Sequence, residues 1–327
     1  MLKIGIIGVG RFGKNHARIL AKNENCELIG IYDKNTKKAA RIAAELNTFA
    51  FAKAEELLNR IEAVVIVVTT TFHYEIAKSA LIKGVHVFIE KPITSELWQA
   101  EELIRLAKEK NLKIQVGHIE RFNPIIMQIV DKIDNPVFVE CHRIAPFTAR
   151  ATDVPVILDM MIHDIDLILS FVKSEIKDIQ AIGSGVMTKN IDIANARLEF
   201  VNGTVANITS SRISMKSSRQ IRIFQKDSYF SVDFQLKKAT YIKKSKHLYK
   251  VLPKILLGKY ENIKTEDVVD IQQFNAEHQE KDALTLELES FINAVKFDVT
   301  PIVDGKAGTD ALKIALEIME KIEKKEN

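Results

Sequence analysis

From residue 3 to residue 118 the chain alternates short, β-branched apolar runs with longer segments in which apolar residues recur every three or four positions. The runs predict buried strands, and the longer segments predict amphipathic helices. Such alternation is typical of βαβ units, which assemble into a doubly wound parallel sheet. The predicted strands are Lys3–Gly8, Glu27–Asp33, a weaker one near Thr48–Phe51, Ala63–Thr69, Val85–Glu90 and Lys113–Gly117. The predicted helices are Arg11–Lys22, Thr36–Leu46, Phe72–Lys83 and Ser95–Lys110.

After Glu120 longer strand-like segments replace this alternation. Two turn sequences, Asn202-Gly203 and 226–228, lie between pairs of these segments and predict hairpins. Hairpins indicate a mostly antiparallel or mixed open sheet, so we predict an α/β protein with one domain at 1–120 and an α+β domain at 121–327. The predicted elements of the second domain are strands Asp178–Met187, Ile193–Phe200, Thr204–Ile213, Gln220–Gln225 and Tyr229–Phe234 and helices Ala283–Lys296 and Lys306–Lys324.

Composition agrees with two globular domains. The chain has 327 residues, 46% hydrophobic and 28% charged, with a net charge of +4, which gives no reason to expect a nucleic-acid partner. No apolar run approaches the ~20 residues that span a bilayer. Cys26 and Cys141 are far apart and show no metal-ligand spacing, so we expect reduced thiols and a cytoplasmic protein.

The stretch from residue 236 to 264 contains nine lysines and looks loop-like. A solvated insertion is the simplest interpretation. Its segment KVLPKILLGKY interleaves lysine with apolar residues, so contact with a partner subunit, an anionic surface or a phosphate group stays open.

The first chemical motif is GVGRFG, formed by Gly8, Gly10 and Gly13 around Arg11 and Phe12. It follows a predicted strand and opens a predicted helix, where glycines permit a tight turn and close approach to a pyrophosphate. This context predicts a Rossmann dinucleotide-binding domain.

Asp33 ends the second predicted strand about 20 residues after Gly13, where a carboxylate can accept hydrogen bonds from the ribose of a dinucleotide. A carboxylate there would repel the 2′-phosphate of NADP, so NAD is the predicted cofactor. Lys34 beside it keeps NADP as an alternative.

The second motif is FIEKP, which places Glu90, Lys91 and Pro92 at the carboxyl end of the fifth predicted strand. Ligands of open parallel sheets bind beyond the carboxyl ends of the strands. Lys91 is therefore the best catalytic candidate in the first domain, suited to proton transfer or to polarising a carbonyl.

The third motif is VILDMMIHDIDLIL, at 156–169. On a helix with about 100° per residue, Asp159, His163 and Asp166 fall within roughly 60° of one another, whereas Asp164 points elsewhere. A narrow polar stripe on a mostly apolar helix needs partners. A metal site, a buried polar network and an acid–base pair all remain possible on this spacing alone.

Together these motifs resemble the Gfo/Idh/MocA oxidoreductases over essentially the whole chain. The resemblance implies hydride exchange between a nicotinamide and the carbinol of a sugar or cyclitol, and a second domain that supports a homodimer or homotetramer. The matching motifs are the glycines after the first strand, Thr69-Thr-Thr-Phe-His73 after the fourth, Glu90-Lys91-Pro92 after the fifth and the Asp159-x-x-x-His163 pair.

The same resemblance implies roles for individual residues. Lys91, His163 and Asp159 match the catalytic positions, with either Lys91 or His163 as the immediate base and Asp166 in support. Two departures from the family pattern are Thr70, in place of a proline, and 153–156, in place of a glycine run. The implied cofactor contacts are Gly8, Gly10, Arg11, Phe12, Gly13, Asp33, Lys34, Thr69, Thr70, His73, Glu90 and Lys91.

Three further segments, 117–124, 142–148 and 152–169, are similar to the branch of the family that oxidises the 3-hydroxyl of UDP-N-acetylglucosamine. In that branch the 3-keto product goes to an aminotransferase on the way to lipid A. The sugar nucleotide contacts implied here are Arg121, Asn123, His142 and Arg143, which could equally be satisfied domain-interface residues.

Four alternatives to this function stay open. A metal-dependent hydrolase would use Asp159, His163 and Asp166 as ligands, but the remaining histidines do not supply an evident set, and no metal is predicted. A nucleotide-binding sensor would have kept the fold and lost turnover, His163 could be a purely structural core residue, and the dehydrogenase could act on another sugar or an inositol.

Overall fold

A computed structural model of the chain describes residues 1–148, 154–258 and 263–326. It divides into one unit formed by Met1–Phe122 with Lys281–Ile314 and a second that begins at Asn123. Thr152 and Asp153, which belong to the segments compared with the family above, lie outside the described residues, as does Lys259 of the lysine-rich stretch.

The first unit contains a six-stranded parallel sheet in the order β3-β2-β1-β4-β5-β6. This is the predicted doubly wound sheet, and every strand predicted for it is present. Its strands are β1 Leu2–Ile7, β2 Cys26–Tyr32, β3 Phe49–Ala50, β4 Ala63–Ile66, β5 His86–Glu90 and β6 Ile114–Gly117. Its helices are α1 Gly13–Lys22, α2 Thr36–Glu45, α3 Ala54–Leu58, α4 His73–Ile82 and α5 Leu97–Glu109.

The central strands are apolar on both faces because helices cover both sides of a parallel sheet. Ile4 and Ile6 of β1, Val65 of β4 and Phe88 of β5 are almost fully buried in one cluster. This is why their sequences are continuous apolar runs with no polar alternation. The arrangement brings the carboxyl ends of β1, β4 and β5 to the same edge of the sheet.

The first change of unit lies between Phe122 and Asn123, two residues after the predicted boundary at 120/121, and Lys281–Ile314 returns to the first unit. The reason is packing. Helix α10 (Ala283–Lys296) places Leu288, Phe291 and Ile292 in the core cluster of the first sheet, and the Phe291 ring lies 5.8 Å from that of Phe88. The last helix, α11, is Gly305–Glu326.

The second unit contains an eight-stranded mixed sheet in the order β14-β13-β12-β11-β7-β10-β9-β8, in which β7 and β10 pair in parallel and the other neighbours are antiparallel. Its strands are β7 Phe138–Ile144, β8 Ile176–Ser184, β9 Ile193–Phe200, β10 Val205–Ser211, β11 Ser218–Phe224, β12 Ser228–Asp233, β13 Lys238–Lys244 and β14 Val269–Asn275. Its helices are α6 Pro124–Met127, α7 Ile162–Phe171, α8 Leu248–Leu256 and α9 Thr265–Val268.

Both predicted hairpins are confirmed. Gly203, with a φ of 87°, turns the chain between β9 and β10. The Gln225 N–H donates to the Ser228 carbonyl at 2.8 Å between β11 and β12. Positive φ favours glycine because a side chain is strained there.

Three strands of this sheet, β7, β13 and β14, are missing from the sequence prediction. The stretch 236–264 is not simply a loop, because β13 and α8 lie within it. Lysines at both ends of β13 hide its strand pattern, and its pairing with β12 and β14 stabilises it. Across the described ranges, no helix is both long and apolar enough to cross a membrane.

Candidate active site

The glycine loop after β1 contains three glycines in different surroundings. Gly8 has a φ of +93°, and a Cβ atom on it would lie 2.2 Å from the Val67 carbonyl oxygen. A Cβ atom on Gly13 would lie 2.0 Å from the Gly8 carbonyl oxygen. Gly10 has no described neighbour within 4 Å of its Cβ position. Steric conflict therefore excludes a side chain at Gly8 and at Gly13, and open space at Gly10 lets a ligand approach the backbone.

A crevice of ≈ 490 Å³ opens beside this loop. Its volume lies within the range of about 300–1,000 Å³ that is usual for small-molecule sites. Thr70, His73, Glu90 and Lys91 are not part of its lining. The predicted cofactor contacts that do line it are Gly8, Gly10, Arg11, Phe12, Gly13, Asp33, Lys34 and Thr69.

Asp33 is anchored to the backbone at the edge of this crevice. Its Oδ2 accepts the Val9 N–H at 2.8 Å, and its Oδ1 accepts the Asn35 N–H at 2.8 Å. Each carboxylate oxygen has capacity for a further hydrogen bond. The held carboxylate can therefore still accept from ribose hydroxyls, with Lys34 and Lys38 also lining the crevice.

The start of helix α1 is suited to an anion. It has no side-chain cap and no acidic residue in its first turn. Backbone N–H groups at a helix start and the positive end of the helix dipole attract phosphate. With open space at Gly10 and a fixed carboxylate at Asp33, the residues present fit NAD.

The turn after β5 carries Lys91, which is half-buried. Glu90 precedes it and contacts a histidine on α1, because its Oε1 lies 2.9 Å from the Nε2 of His16. Its Oε2 accepts the Lys91 N–H at 3.2 Å. Burial alone would raise the pKa of Glu90, but the contact with His16 and the charge of Lys91 hold it below its ordinary value. Glu90 is thus an ionised carboxylate beside Lys91.

A second histidine holds the same turn from α4. The Nδ1 of His73 lies 2.9 Å from the Pro92 carbonyl oxygen, and its Nε2 lies 3.2 Å from the Val68 carbonyl oxygen. Burial lowers the pKa of His73 from 6.5, although the contacts with the two carbonyls partly oppose this. The ring is 1% exposed, so it supports the strand ends beneath the crevice.

In the second unit, the segment 156–169 is not one regular α-helix. Ile157–Met161 forms a π-helical turn in which the Ile162 N–H donates to the Ile157 carbonyl, and α7 follows. Such turns occur frequently at functional sites. Asp159 and His163 are half-buried, whereas Asp166 is buried, so the predicted polar stripe does not share one environment.

Asp164, which points away from the predicted polar stripe, is paired with a buried arginine. It forms a bidentate pair with Arg143 of β7, with its two oxygens accepting from Nε and Nη2 at 2.9 and 2.8 Å. Both side chains are almost completely buried. Arg143 is therefore engaged by a carboxylate of its own unit.

Strand alternation separates two of the predicted substrate contacts. His142 lies on the face of β7 opposite to that of Arg143. Its Nε2 lies 3.2 Å from Oε1 of Glu140. The two side chains therefore do not meet one ligand from the same face. Of the others, Asn123 caps α6 by accepting the Ile125 N–H at 3.2 Å, and Arg121 is half-buried in the first unit.

His16 is the main residue of the candidate site that was not predicted from the sequence. A signal was present, because it lies on the buried side of α1 with Ala17 and Leu20, where a polar side chain must find a partner. In the described part of the chain, no cluster of three or more metal-binding side chains occurs.

Comparison with known proteins supports one family. Residues 2–118 match the model of the oxidoreductase family with an NAD-binding Rossmann fold, and residues 135–229 match the GFO/IDH/MocA C-terminal domain. The chain therefore belongs to the Gfo/Idh/MocA family of oxidoreductases, and its cofactor is NAD.

Individual relatives cover nearly the whole chain. UDP-N-acetylglucosamine 3-dehydrogenase of Acidithiobacillus ferrooxidans is 35% identical over 98% of this chain and 97% of its own length, and its crystal structure superposes with a TM-score of 0.88. Myo-inositol 2-dehydrogenase of Thermotoga maritima is 24% identical over 99% and 97% of the two chains. A Clostridium difficile dehydrogenase, 22% identical over 98% and 99% with a TM-score of 0.82, shares the fold.

Proposed function

We propose that the protein oxidises the 3-hydroxyl of UDP-N-acetylglucosamine to the 3-keto sugar with NAD. The observation that supports this most is the 35% identity to a dehydrogenase of that substrate, which covers 98% of this chain and 97% of that relative. The glycine loop, the crevice and the Lys91 turn of this chain supply the groups that such a reaction requires.

NAD, which the glycine loop and Asp33 would hold, would supply the hydride acceptor, and this chain would bind and orient the substrate and handle its proton. The C3–H bond would be broken with its hydride passing to the nicotinamide, and the hydroxyl proton would leave to a base. Lys91 would hold the reacting oxygen or take its proton. His163 would be the alternative base, and Asp159, four residues earlier, would orient the imidazole or the sugar.

Arg121, Asn123 and His142 remain the proposed contacts for the sugar nucleotide. Arginine can donate two parallel hydrogen bonds to a phosphate, and this favours Arg121, because the Arg143 guanidinium is already paired with Asp164. Since Asn123 accepts from the Ile125 backbone through its Oδ1, its amide N–H groups would face the ligand.

We further propose a cytoplasmic homo-oligomer, dimer or tetramer, whose 3-keto product is aminated for lipid A biosynthesis. This placement follows the branch to which the sequence is similar. Size measurement in solution and co-expression with an aminotransferase would test it.

Incubation of the purified protein with NAD and UDP-N-acetylglucosamine, followed by NADH absorbance, tests the function. We expect turnover with this substrate and little with myo-inositol or free hexoses. Preference for an inositol would instead support the function of the Thermotoga maritima relative. No NADH from any sugar nucleotide, inositol or hexose would contradict a dehydrogenase.

Lys91→Ala should lower turnover by about 10²–10⁴-fold, which is the usual contribution of a proton-transfer group, while NAD binding persists. The matched control is Lys83→Ala, because Lys83 is an exposed lysine of the same unit whose Nζ donates to Asn59. Unchanged turnover in Lys91→Ala would remove Lys91 from the mechanism.

A further inference from the structure

One carboxylate links the helix of the glycine loop to the turn that carries Lys91. Glu90 contacts the Nε2 of His16 through one oxygen, at 2.9 Å, and accepts the Lys91 N–H through the other, at 3.2 Å. His16 lies in the first turn of α1, which begins at Gly13. The dinucleotide loop and the candidate catalytic lysine are therefore joined through two side chains.

The packing around this contact is specific. A Cβ atom on Gly117 of β6 would lie 2.9 Å from Glu90 Oε2, so the glycine provides room for the carboxylate. The His16 ring is 2% exposed and packs edge-on against Phe88 at 5.9 Å. These neighbours hold both partners in place.

Both nitrogens of the His16 ring face oxygen atoms. Nδ1 lies 3.1 Å from the Phe12 carbonyl oxygen, and Nε2 faces Glu90. The ring is thereby held between the glycine loop and the carboxylate.

We propose that Glu90 and His16 are positioning residues for Lys91. His16 holds the carboxylate in place, and the carboxylate fixes the lysine backbone and favours the ammonium form of the lysine. The inference rests on the role proposed for Lys91. It adds that the reactivity of this lysine depends on a side-chain contact with the dinucleotide-binding helix.

The proposal has an electrostatic signature. A nearby negative charge favours the ammonium form of lysine, and a nearby positive charge disfavours it. Titratable groups that interact with Glu90 include His16 of α1, His73 of α4 and Lys91 itself. Removing the Glu90 charge should therefore let Lys91 lose its proton at lower pH, and losing the His16 contact that holds the carboxylate in place should act in the same direction.

The test measures the reactivity of the Lys91 amine directly. The full-length protein is acylated briefly across a pH series, and mass spectrometry gives the pH at which Lys91 is half-reactive. In Glu90→Gln, which keeps the side-chain shape and an acceptor oxygen, this midpoint should fall by about one pH unit. In His16→Leu, which removes the contact that holds the carboxylate beside the lysine, it should also fall.

Glu102→Gln is the matched control, since Glu102 pairs with Lys78 at 2.9 Å on the surface of the same unit, and its Lys91 midpoint should not move. If Glu90→Gln does not fold, His16→Leu carries the test alone. Turnover should fall about tenfold or more in both variants, because small displacements of catalytic groups are costly.

A Lys91 midpoint that does not fall in Glu90→Gln, or in His16→Leu, would overturn the positioning role. Since acylation needs no substrate, this result is independent of the proposed sugar. Failure of the proposed function would appear separately, as no NADH formed by the unmodified protein with any sugar nucleotide, inositol or hexose.

Discussion

Each unit contains a carboxylate directly beside a candidate catalytic residue, and the two units secure it differently. In the first unit Glu90 precedes Lys91 and pairs with His16. In the second unit Asp164 follows His163 and pairs with Arg143 through two hydrogen bonds. Both pairs join neighbouring elements of secondary structure, so each fixes the backbone next to a reactive side chain.

The difference lies in the partner of the carboxylate. Arginine keeps its proton at any pH at which proteins fold, and its planar fork matches a carboxylate. An imidazole carries no permanent charge and has no such fork. The second unit therefore has a permanent ionic anchor beside His163, whereas the first unit holds Glu90 beside Lys91 through a single contact with His16.

Breaking the permanent pair should have the largest effect. Arg143→Met leaves Asp164 buried without its cation, and we expect a loss of about 3–5 kcal/mol in the free energy of unfolding. Chemical denaturation followed by circular dichroism measures this. Arg222→Met is the control, because Arg222 is half-exposed and lies 3.4 Å from Glu140, so its loss should be below about 1 kcal/mol. A double variant, Arg143→Met with Asp164→Leu, should recover much of the stability; equal losses in the two arginine variants would contradict the anchoring role.

Acid should weaken the first unit through its buried groups. Burial lowers the pKa of His73, so the unfolded chain takes up a proton at this site before the folded one does, and stability decreases as the pH falls below 6.5. Burial, with the charge of Lys113, also lowers the pKa of His86. The depressed pKa of Glu90 adds a further loss at lower pH, where that carboxylate becomes protonated. For each proton taken up on unfolding, the free energy of unfolding falls by about 1.4 kcal/mol with each unit by which the pH is lowered.

Trp98 offers a local probe for this effect. It is the only tryptophan of the chain, and its ring lies 5.2 Å from that of Tyr74, the neighbour of His73 on α4. Denaturation followed by Trp98 fluorescence gives the free energy of unfolding at a series of pH values. Below pH 6.5, the slope of this free energy against pH should be smaller in His73→Gln than in the unmodified protein. His142→Gln, at a half-exposed histidine, is the control. An unchanged slope in His73→Gln would show that this histidine does not titrate on unfolding.

The smallest effect is expected on the open face of β7. His142→Ala removes a side chain that is 44% exposed and pairs with Glu140, so the unfolding free energy should change by less than about 1 kcal/mol. The comparison with its neighbour Arg143 isolates the effect of strand alternation. A loss as large as that of Arg143→Met would mean that this face is buried in the folded protein.

The sequence predicts the first unit better than the second, for a physical reason. Doubly wound sheets bury whole strands, so their apolar runs stand out, and the glycine loop is required by close backbone contacts at Gly8 and Gly13. In the second unit β7 places Arg143 in the buried face. Nothing in the strand itself indicates that Asp164, a residue of a later helix, will compensate this charge.

Two other features depend on tertiary structure. The apolar spacing of 156–169 fits a regular helix, and the π-helical turn at Ile157–Met161 becomes visible only through its backbone bonds. The return of α10 to the first sheet depends on Phe291 meeting Phe88. Amphipathic periodicity predicts that a helix packs, and it does not say against which sheet.

The most direct measurement of the central proposal follows the hydrogen that is transferred. UDP-N-acetylglucosamine carrying deuterium at C3 is incubated with the protein and NAD, and the reduced cofactor is analysed by mass spectrometry, with substrate labelled at C4 as the control. We predict deuterated NADH from the C3-labelled substrate and unlabelled NADH from the control. Unlabelled NADH from the C3-labelled substrate, or label transferred from C4, would contradict oxidation at the 3-hydroxyl.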